Sequence, residues 1–314
     1  MDERFRLISA LGIVPTFKMD DSRKAVPLAR AMTAGGLPIA EISFRTTAAA
    51  ESIRRISSEC PEVLVGAGDV HTCEQVDQAL AAGGMFISTP GFALEVIRYA
   101  RSKGALVIPC ISTAEEAEQA ANMGIFVGKS GKAAIIDAPD DSWRKRMWIP
   151  IGEIGTVEMN RCLSRNRVLA YGGSWMTEQI QSEDWSGISS LCKETVRGLL
   201  DFRVVHVGLN CKEAAEAEKI ARLFCRLFDV PYLPNETAIF AGSLVECIKG
   251  PYRGAHGHIA IGTRNVDRAV YQLEKRGAVF DASSRKTDAE GHTLLIYLQE
   301  EIGGFALHLV KNKP

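Results

Sequence analysis

Between residue 11 and about residue 200 the chain repeats one phrase eight times, a short apolar run followed by an amphipathic stretch of helical period. The runs are "LGIVPTF", "IAEISFR", "VLVGAGD", "FISTPG", "ALVIPCI", "IFVGK", "MWIPIGE" and "RVLAYGG". Helical patterns follow them, such as "DSRKAVPLARAMTAGG" after the first and "CEQVDQALAAGG" after the third. Several end in glycine, the residue that most easily takes the left-handed turn closing a helix. Strands that are apolar along their whole length are buried on both faces, the condition of a parallel sheet covered by helices. Eight such units in succession predict an α/β fold, a closed (β/α)8 TIM barrel, with a doubly wound open sheet as the alternative.

The pattern changes near residue 200. "VVHVGLN" at 204–210 precedes the helix-like "KEAAEAEKIARLFCRLF" and the strand-like "ETAIFAG" and "SLVECIK". "GHIAIGT" at 257–263 then starts the cycle again, followed by "NVDRAVYQLEKRG", "HTLLIYLQ" and "GFALHLVK". This is a βαβββ unit written twice. At 314 residues the chain exceeds the roughly 150 residues of an average domain, so two are expected: a barrel over 1–200 and an α+β domain of paired modules over 201–314.

The net charge of -1 offers no electrostatic footprint for nucleic acid or an anionic membrane, which leaves a small molecule as the expected partner. The eight cysteines are scattered without any C-x-x-C and read as reduced, buried thiols. "MDERFRLISALGIVP" places acids ahead of a short apolar run, the pattern of neither a signal nor a transit peptide. No apolar run reaches membrane-spanning length, so the expected location is the cytoplasm.

The stretch "MGIFVGKSGK" at 123–132 places "GKS" after an apolar run, as a phosphate-binding loop does, but only three residues separate Gly124 from Gly128 where that loop needs four. Lys129 is then an amine at the end of a buried strand. In a barrel, substrate-contacting groups come from the C-terminal ends of strands, which here offer Glu41 and Arg45 on the second, Asp69 on the third, Thr89 and Pro90 at the fourth, Lys129 on the sixth and Glu153 on the seventh. Alternation in "IAEISF" turns Glu41 into the barrel, where an unpaired carboxylate costs roughly several kcal/mol, and Lys129 is its expected partner. A buried lysine beside a carboxylate has the ingredients of a class I aldolase. Burial favours the neutral amine, the amine condenses with a keto group, and the carboxylate shuttles protons. Arg45 is placed to clamp a substrate carboxylate. The alternatives are a structural ion pair for Lys129 and Glu41 and an ordinary rim cation for Arg45.

In order along the chain, "AVPLARAMTAGGLPIAEISFRT", "VGAGDV", "STPG", "IPCISTAEE" and "YGGSWM" resemble the 2-keto-3-deoxy-6-phosphogluconate/4-hydroxy-2-oxoglutarate aldolase family over roughly residues 8–200. The resemblance implies a trimeric barrel lyase that cleaves a 2-keto-4-hydroxy acid to pyruvate and an aldehyde through a lysine imine, with no cofactor. It puts the imine lysine at Lys129, the general acid and base at Glu41 and the carboxylate-binding arginine at Arg45. Three departures stand out. Asp69 replaces a threonine that helps hold the pyruvate carboxylate, and an aspartate there repels an anion unless protonated or paired. "SGKAAIIDAPDD" replaces a Phe-Phe-Pro segment and is about six residues shorter. "IGE" replaces Thr-Gly-Gly and brings Glu153 toward the phosphate end of the substrate, where an added acid is unfavourable. "GGSW" is retained, and Gly172, Gly173 and Ser174 could receive an anion on backbone N–H groups if a helix starts there.

In the second domain His206, Glu246, His258 and His308 hold matching places in the two copies, and three imidazoles with one carboxylate suit Zn2+, Fe2+, Ni2+ or Co2+. "HVGLN", "LVECIK", "GHIAIGT" and "FALHLVK" resemble the four ligand-bearing strands of the vicinal-oxygen-chelate superfamily, which includes the glyoxalases, over about residues 203–312. That superfamily usually ends its ligand set with glutamate rather than histidine. Two further readings stand beside the aldolase: a degenerate barrel with the metal domain as the enzyme, and a non-catalytic small-molecule binding protein.

Overall fold

A computed structural model of the chain describes residues 2–137, 146–155, 157–165 and 167–312. Residues 138–141 of the "SGKAAIIDAPDD" segment lie outside the described residues. The chain divides into two compact units, Met1–Leu199 and Leu200–Pro314. Among the described residues no helix is long and apolar enough to cross a membrane.

In the first unit the apolar runs form β1 (Ile13–Phe17), β2 (Ile39–Ser43), β3 (Leu64–Gly68), β4 (Ile87–Thr89), β5 (Val107–Pro109), β6 (Val127–Ser130), β7 (Met147–Pro150) and β8 (Tyr171–Ser174). All pairings are parallel, in a six-stranded ladder β5-β4-β3-β2-β1-β8 and a β6-β7 pair. Isolated bridges Cys110–Lys129 and Ile151–Gly172 join β5 to β6 and β7 to β8. The result is an α/β fold whose parallel strands lie in a curled sheet.

The helices between strands are stopped and started by local chemistry. Ala114–Asn122 opens on a capping box in which Thr113 and Glu116 answer each other's backbone N–H groups, worth about 1 kcal/mol at such an end. Ala49–Glu59 turns Ser52, Ile53 and Ile56 inward at helical spacing. Glu3–Leu11, capped by the Asp2 carboxylate and closed by Gly12 at φ 73°, is a helix ahead of β1 where the sequence suggested only an acidic lead-in.

In the second unit the order is β9 (Arg203–Asn210), helix Ala214–Phe228, β10 (Tyr232–Pro234), β11 (Ala238–Ala241), β12 (Val245–Ile248), β13 (Gly257–Thr263), helix Val266–Glu274, β14 (Phe280–Thr287), β15 (Thr293–Leu298) and β16 (Phe305–Lys311). The sheet runs β10-β11-β12-β9-β13-β16-β15-β14, so each βαβββ copy occupies one half in the same internal order, meeting at antiparallel β9 and β13. β10 and β14 are strands that the apolar pattern had not picked out. Their residues are mostly half-buried or exposed at the sheet edges, where an apolar run is not required.

The expectation of buried thiols holds in part. Cys60, Cys162, Cys192, Cys211 and Cys247 are buried and unpaired, whereas Cys73, Cys110 and Cys225 are half-buried. Cys73 and Cys225 lie in helices, which keep one side toward solvent, and Cys110 lies just beyond the end of β5.

Candidate active site

Glu41, Ser88 and Lys129 stand on β2, β4 and β6, alternate strands of the kind that supply one interior layer of a barrel. The Lys129 Nζ donates to Glu41 Oε2 in an ion pair whose side chains are 5% and 3% exposed. Nζ also lies 3.1 Å from Ser88 Oγ. The other carboxylate oxygen, Oε1, accepts from Thr16 Oγ1 at 3.0 Å, Thr16 being the register partner of Glu41 on β1. Gly68 makes room for this carboxylate: a Cβ there would stand 2.5 Å from Oε1. An amine and a carboxylate are therefore in direct contact among apolar strands, an arrangement that imine chemistry can use.

Arg45 and Asp69 are rim residues rather than strand residues, because β2 ends at Ser43 and β3 at Gly68. They face each other. Arg45 Nε is 3.1 Å from Asp69 Oδ2 and Arg45 Nη2 donates to Oδ1 at 3.1 Å, while Ser43 Oγ donates to Oδ2 at 2.6 Å. The aspartate thus has its cation, and the guanidinium fork expected to hold a substrate carboxylate is engaged by a carboxylate of the protein. Asp69 sits at φ 52°, a left-handed conformation that Asp and Asn tolerate and β-branched residues resist.

Thr89 ends β4 with its hydroxyl donating to the Gly91 carbonyl at 2.6 Å, and Pro90 follows it, exposed. Glu153 lies beyond the end of β7 and is exposed. Beside it the Gly152 N–H donates to the Gly172 carbonyl at 2.9 Å, and a Cβ on Gly173 would meet the Gly152 carbonyl oxygen at 1.9 Å, so the two glycines allow the "IGE" turn to close on β8. No helix starts at "GGSW". Gly172, Gly173 and Ser174 belong to β8, and the helix that follows, Thr177–Gln181, is only five residues long. The conditional reading of a helix-borne anion site at these residues is therefore corrected: the chain stays extended through Ser174, paired with β1, and the helix begins later.

In the second unit, cross-strand register places Glu246, Gly208 and His258 in one row of the sheet and His206, Ala260 and His308 in the next row of the same face. Val245 and Cys247 point the other way, into the core formed with Ala217 and Ala221 of the helix, so the four polar side chains lie on the face away from it. The small residues between them are required: a Cβ on Gly208 would stand 2.0 Å from the His258 ring. One ring nitrogen of each of His206, His258 and His308 lies within 4.8 Å of the others, and Glu246 Oε2 is 3.2 Å from His206 Nε2 and 3.1 Å from His258 Nε2. His308 is buried and stacked on Tyr297, and neither of its ring nitrogens has a hydrogen-bond partner among the described residues. Burial pushes its pKa down to about 3, with His258 and His206 adding to the shift, so the ring is neutral. Burial would raise the Glu246 carboxyl, but hydrogen bonds from His206 and His258 prevail and hold it down at about 2. Three imidazoles converging with a carboxylate are a donor set that fits a divalent cation.

Thr16, Ser43 and Ser88 were not singled out by the sequence. Their only signal was a hydroxyl inside an apolar run, too common to distinguish them.

The family model for KDPG and KHG aldolases matches residues 5–191. The 2-dehydro-3-deoxy-phosphogluconate aldolase of Treponema pallidum is 36% identical over 201 residues, covering 62% of this chain and 96% of that protein. Among solved structures, a KDPG aldolase of Legionella pneumophila, with pyruvate captured as a covalent carbinolamine, superposes with a TM-score of 0.58 at 26% identity, covering 62% of this chain and 98% of its own. The 2-keto-3-deoxy-6-phosphogluconate aldolase of Zymomonas mobilis, solved with 3-phosphoglycerate, gives 0.55 at 27% identity over 61% of this chain and 94% of its own.

Proposed function

The chain belongs to the KDPG and KHG aldolase family and is a class I aldolase of that type, a lyase; from this premise we propose that Lys129 forms the imine and Glu41 moves the protons. The observation that carries this reading is the buried Lys129–Glu41 contact on alternate strands. Nζ passes a proton to Glu41 and attacks the C2 keto carbon, and proton transfer back through Glu41 lets the keto oxygen leave as water, giving an iminium. Glu41 then takes the proton of the C4 hydroxyl as the C3–C4 bond breaks, its electron pair passing into the iminium to give an enamine while the aldehyde departs. Protonation at C3 and addition of water release pyruvate and restore the amine. Incubation with pyruvate and borohydride, followed by peptide mass spectrometry, tests the assignment: a reduced adduct on the Lys129 peptide supports it, and an adduct on another lysine, or none on folded protein, rejects it.

In this reading Arg45 receives the keto-acid end of the substrate through the donor nitrogen that Asp69 does not engage, and Asp69 competes for the guanidinium while holding it in place. Thr89 and Pro90 stand at the C-terminal end of β4, the end of the sheet that also carries Arg45 and Asp69. The exposed carboxylate of Glu153 beside Gly152 opposes a phosphate there, which favours a non-phosphorylated substrate. Comparing turnover of phosphorylated and unphosphorylated 2-keto-4-hydroxy acids tests it. The homotrimer implied by the family resemblance is tested by sedimentation.

For the C-terminal unit the reading is a glyoxalase-like, vicinal-oxygen-chelate cup in which His206, Glu246, His258 and His308 hold one divalent cation. The unsatisfied nitrogens of buried His308 support it. When bound, such an ion supplies open positions for two neighbouring substrate oxygens and stabilises an enolate. The protein's own contribution is orientation: Gly208 and Ala260 keep the four donors on one face, and Tyr297 stacks on the His308 ring. Metal titration followed by elemental analysis of the desalted protein tests the cup.

A further inference from the structure

The two hydroxyls in contact with the Lys129–Glu41 pair have no role in the reading above, and each touches one member of it. Thr16 Oγ1 donates to Glu41 Oε1 at 3.0 Å and leaves Oε2 for Lys129. Ser88, itself buried, lies 3.1 Å from Nζ on the strand between those that carry Glu41 and Lys129 in the series of alternate staves. A carboxylate on a two-carbon stem would otherwise rotate, and an amine on a four-carbon stem has many rotamers. Here both ends are tied to strands of the sheet.

We propose that Thr16 and Ser88 are positioning residues of the aldolase reaction, Thr16 setting the rotation of the Glu41 carboxylate and Ser88 setting the direction of the Lys129 lone pair. The geometry explains how. A neutral amine keeps two N–H bonds and one lone pair in a tetrahedral array. With Glu41 Oε2 and Ser88 Oγ accepting the two N–H bonds, the lone pair takes the remaining direction, and the keto carbon must approach along it. Thr16 acts on the later steps, since a carboxylate held by one oxygen presents the other to the protons that move during water loss and bond cleavage. Neither hydroxyl gains or loses a proton overall. The expected effect follows from the cost of losing a hydrogen bond to a charged or reacting group, roughly ten- to a hundredfold in rate.

This inference rests on Lys129 being the imine lysine, and the experiment separates the two. Borohydride trapping with pyruvate and steady-state cleavage of a 2-keto-4-hydroxy acid are measured for the wild type, Thr16→Val, Thr16→Ser and Ser88→Ala, each checked by thermal melting. Thr16→Val keeps the shape and removes the donor. It is expected to lower kcat roughly ten- to a hundredfold with KM little changed. Thr16→Ser restores the hydroxyl and is expected to restore kcat, a rescue that a packing role would not produce. Ser88→Ala is expected to slow adduct formation on the Lys129 peptide about tenfold. Wild-type kcat in Thr16→Val, equal loss in Thr16→Ser and Thr16→Val, or an unchanged trapping rate in Ser88→Ala would each overturn the inference while leaving Lys129 in place. A wild-type adduct on a different lysine would remove the reading and the inference together. If Thr16→Val fails to fold, Thr16→Ser and Ser88→Ala decide the matter.

Discussion

The interior of the curled parallel sheet and the histidine face of the C-terminal sheet each hold polar groups in apolar surroundings, and they satisfy them in opposite ways. In the first unit both Glu41 oxygens and the Lys129 amine have protein partners. On the sheet, His308 is buried with neither nitrogen answered among the described residues. A buried polar group without a partner costs on the order of 1–3 kcal/mol, so the first arrangement is satisfied as folded and the second carries an uncompensated cost. An imine enzyme carries its reactive group in its own sequence, whereas the cup proposed for His206, Glu246, His258 and His308 would take its reactive centre from solution.

The largest test of this contrast is to break the self-contained pair. Lys129→Ala is expected to abolish pyruvate trapping, and by leaving Glu41 buried alone it should also lower stability by about 3–5 kcal/mol in denaturant unfolding. The double variant Lys129→Met/Glu41→Gln removes both charges and should recover most of that stability while remaining inactive, so stability and chemistry part company. Aldolase turnover surviving in Lys129→Ala would end the assignment. Next in size, Glu41→Gln should slow cleavage by roughly 10²–10⁴-fold while the lysine still forms an adduct, read by single-turnover kinetics.

On the sheet the expectation reverses, and addition rather than removal is informative. A divalent cation at about a hundred times its dissociation constant should stabilise the protein by roughly 2.7 kcal/mol, and a chelator should reverse the gain. His308→Ala should erase the metal-dependent shift and leave pyruvate trapping untouched. A cation shift that persists in His308→Ala would place the metal elsewhere.

The smallest effect concerns the rim. Asp69→Asn keeps the left-handed backbone and an acceptor for Ser43 while removing the charge that engages Arg45. KM for the keto acid should fall by roughly threefold to tenfold with kcat little changed, since the Arg45 side chain is 64% exposed and its pairing with Asp69 correspondingly weak. Threonine at this position, although closer to the family pattern, would be strained at φ 52° and makes a less clean test. A rise in KM would mean that the Arg45–Asp69 pair itself forms part of the carboxylate site.

Repetition was legible in the sequence. Eight apolar runs with glycine-closed helices, and a βαβββ phrase written twice, follow from local rules of period and burial that each segment obeys by itself. Lys129 and Glu41 were legible for a related reason, since a charge inside an apolar run is costly enough to require an explanation. What the sequence could not supply was the identity of neighbours. Thr16 and Glu41 are 25 residues apart, Ser88 and Lys129 are 41 apart, and nothing local distinguishes these hydroxyls from others in apolar strands. Arg45 and Asp69 were each marked as carboxylate-site residues, yet their contact across the rim, which makes each the other's partner, appears only when β2 and β3 lie side by side. Local periodicity sets which residues face inward. Which inward residues meet depends on the register between strands distant in the chain, and that is decided only when the sheet closes up.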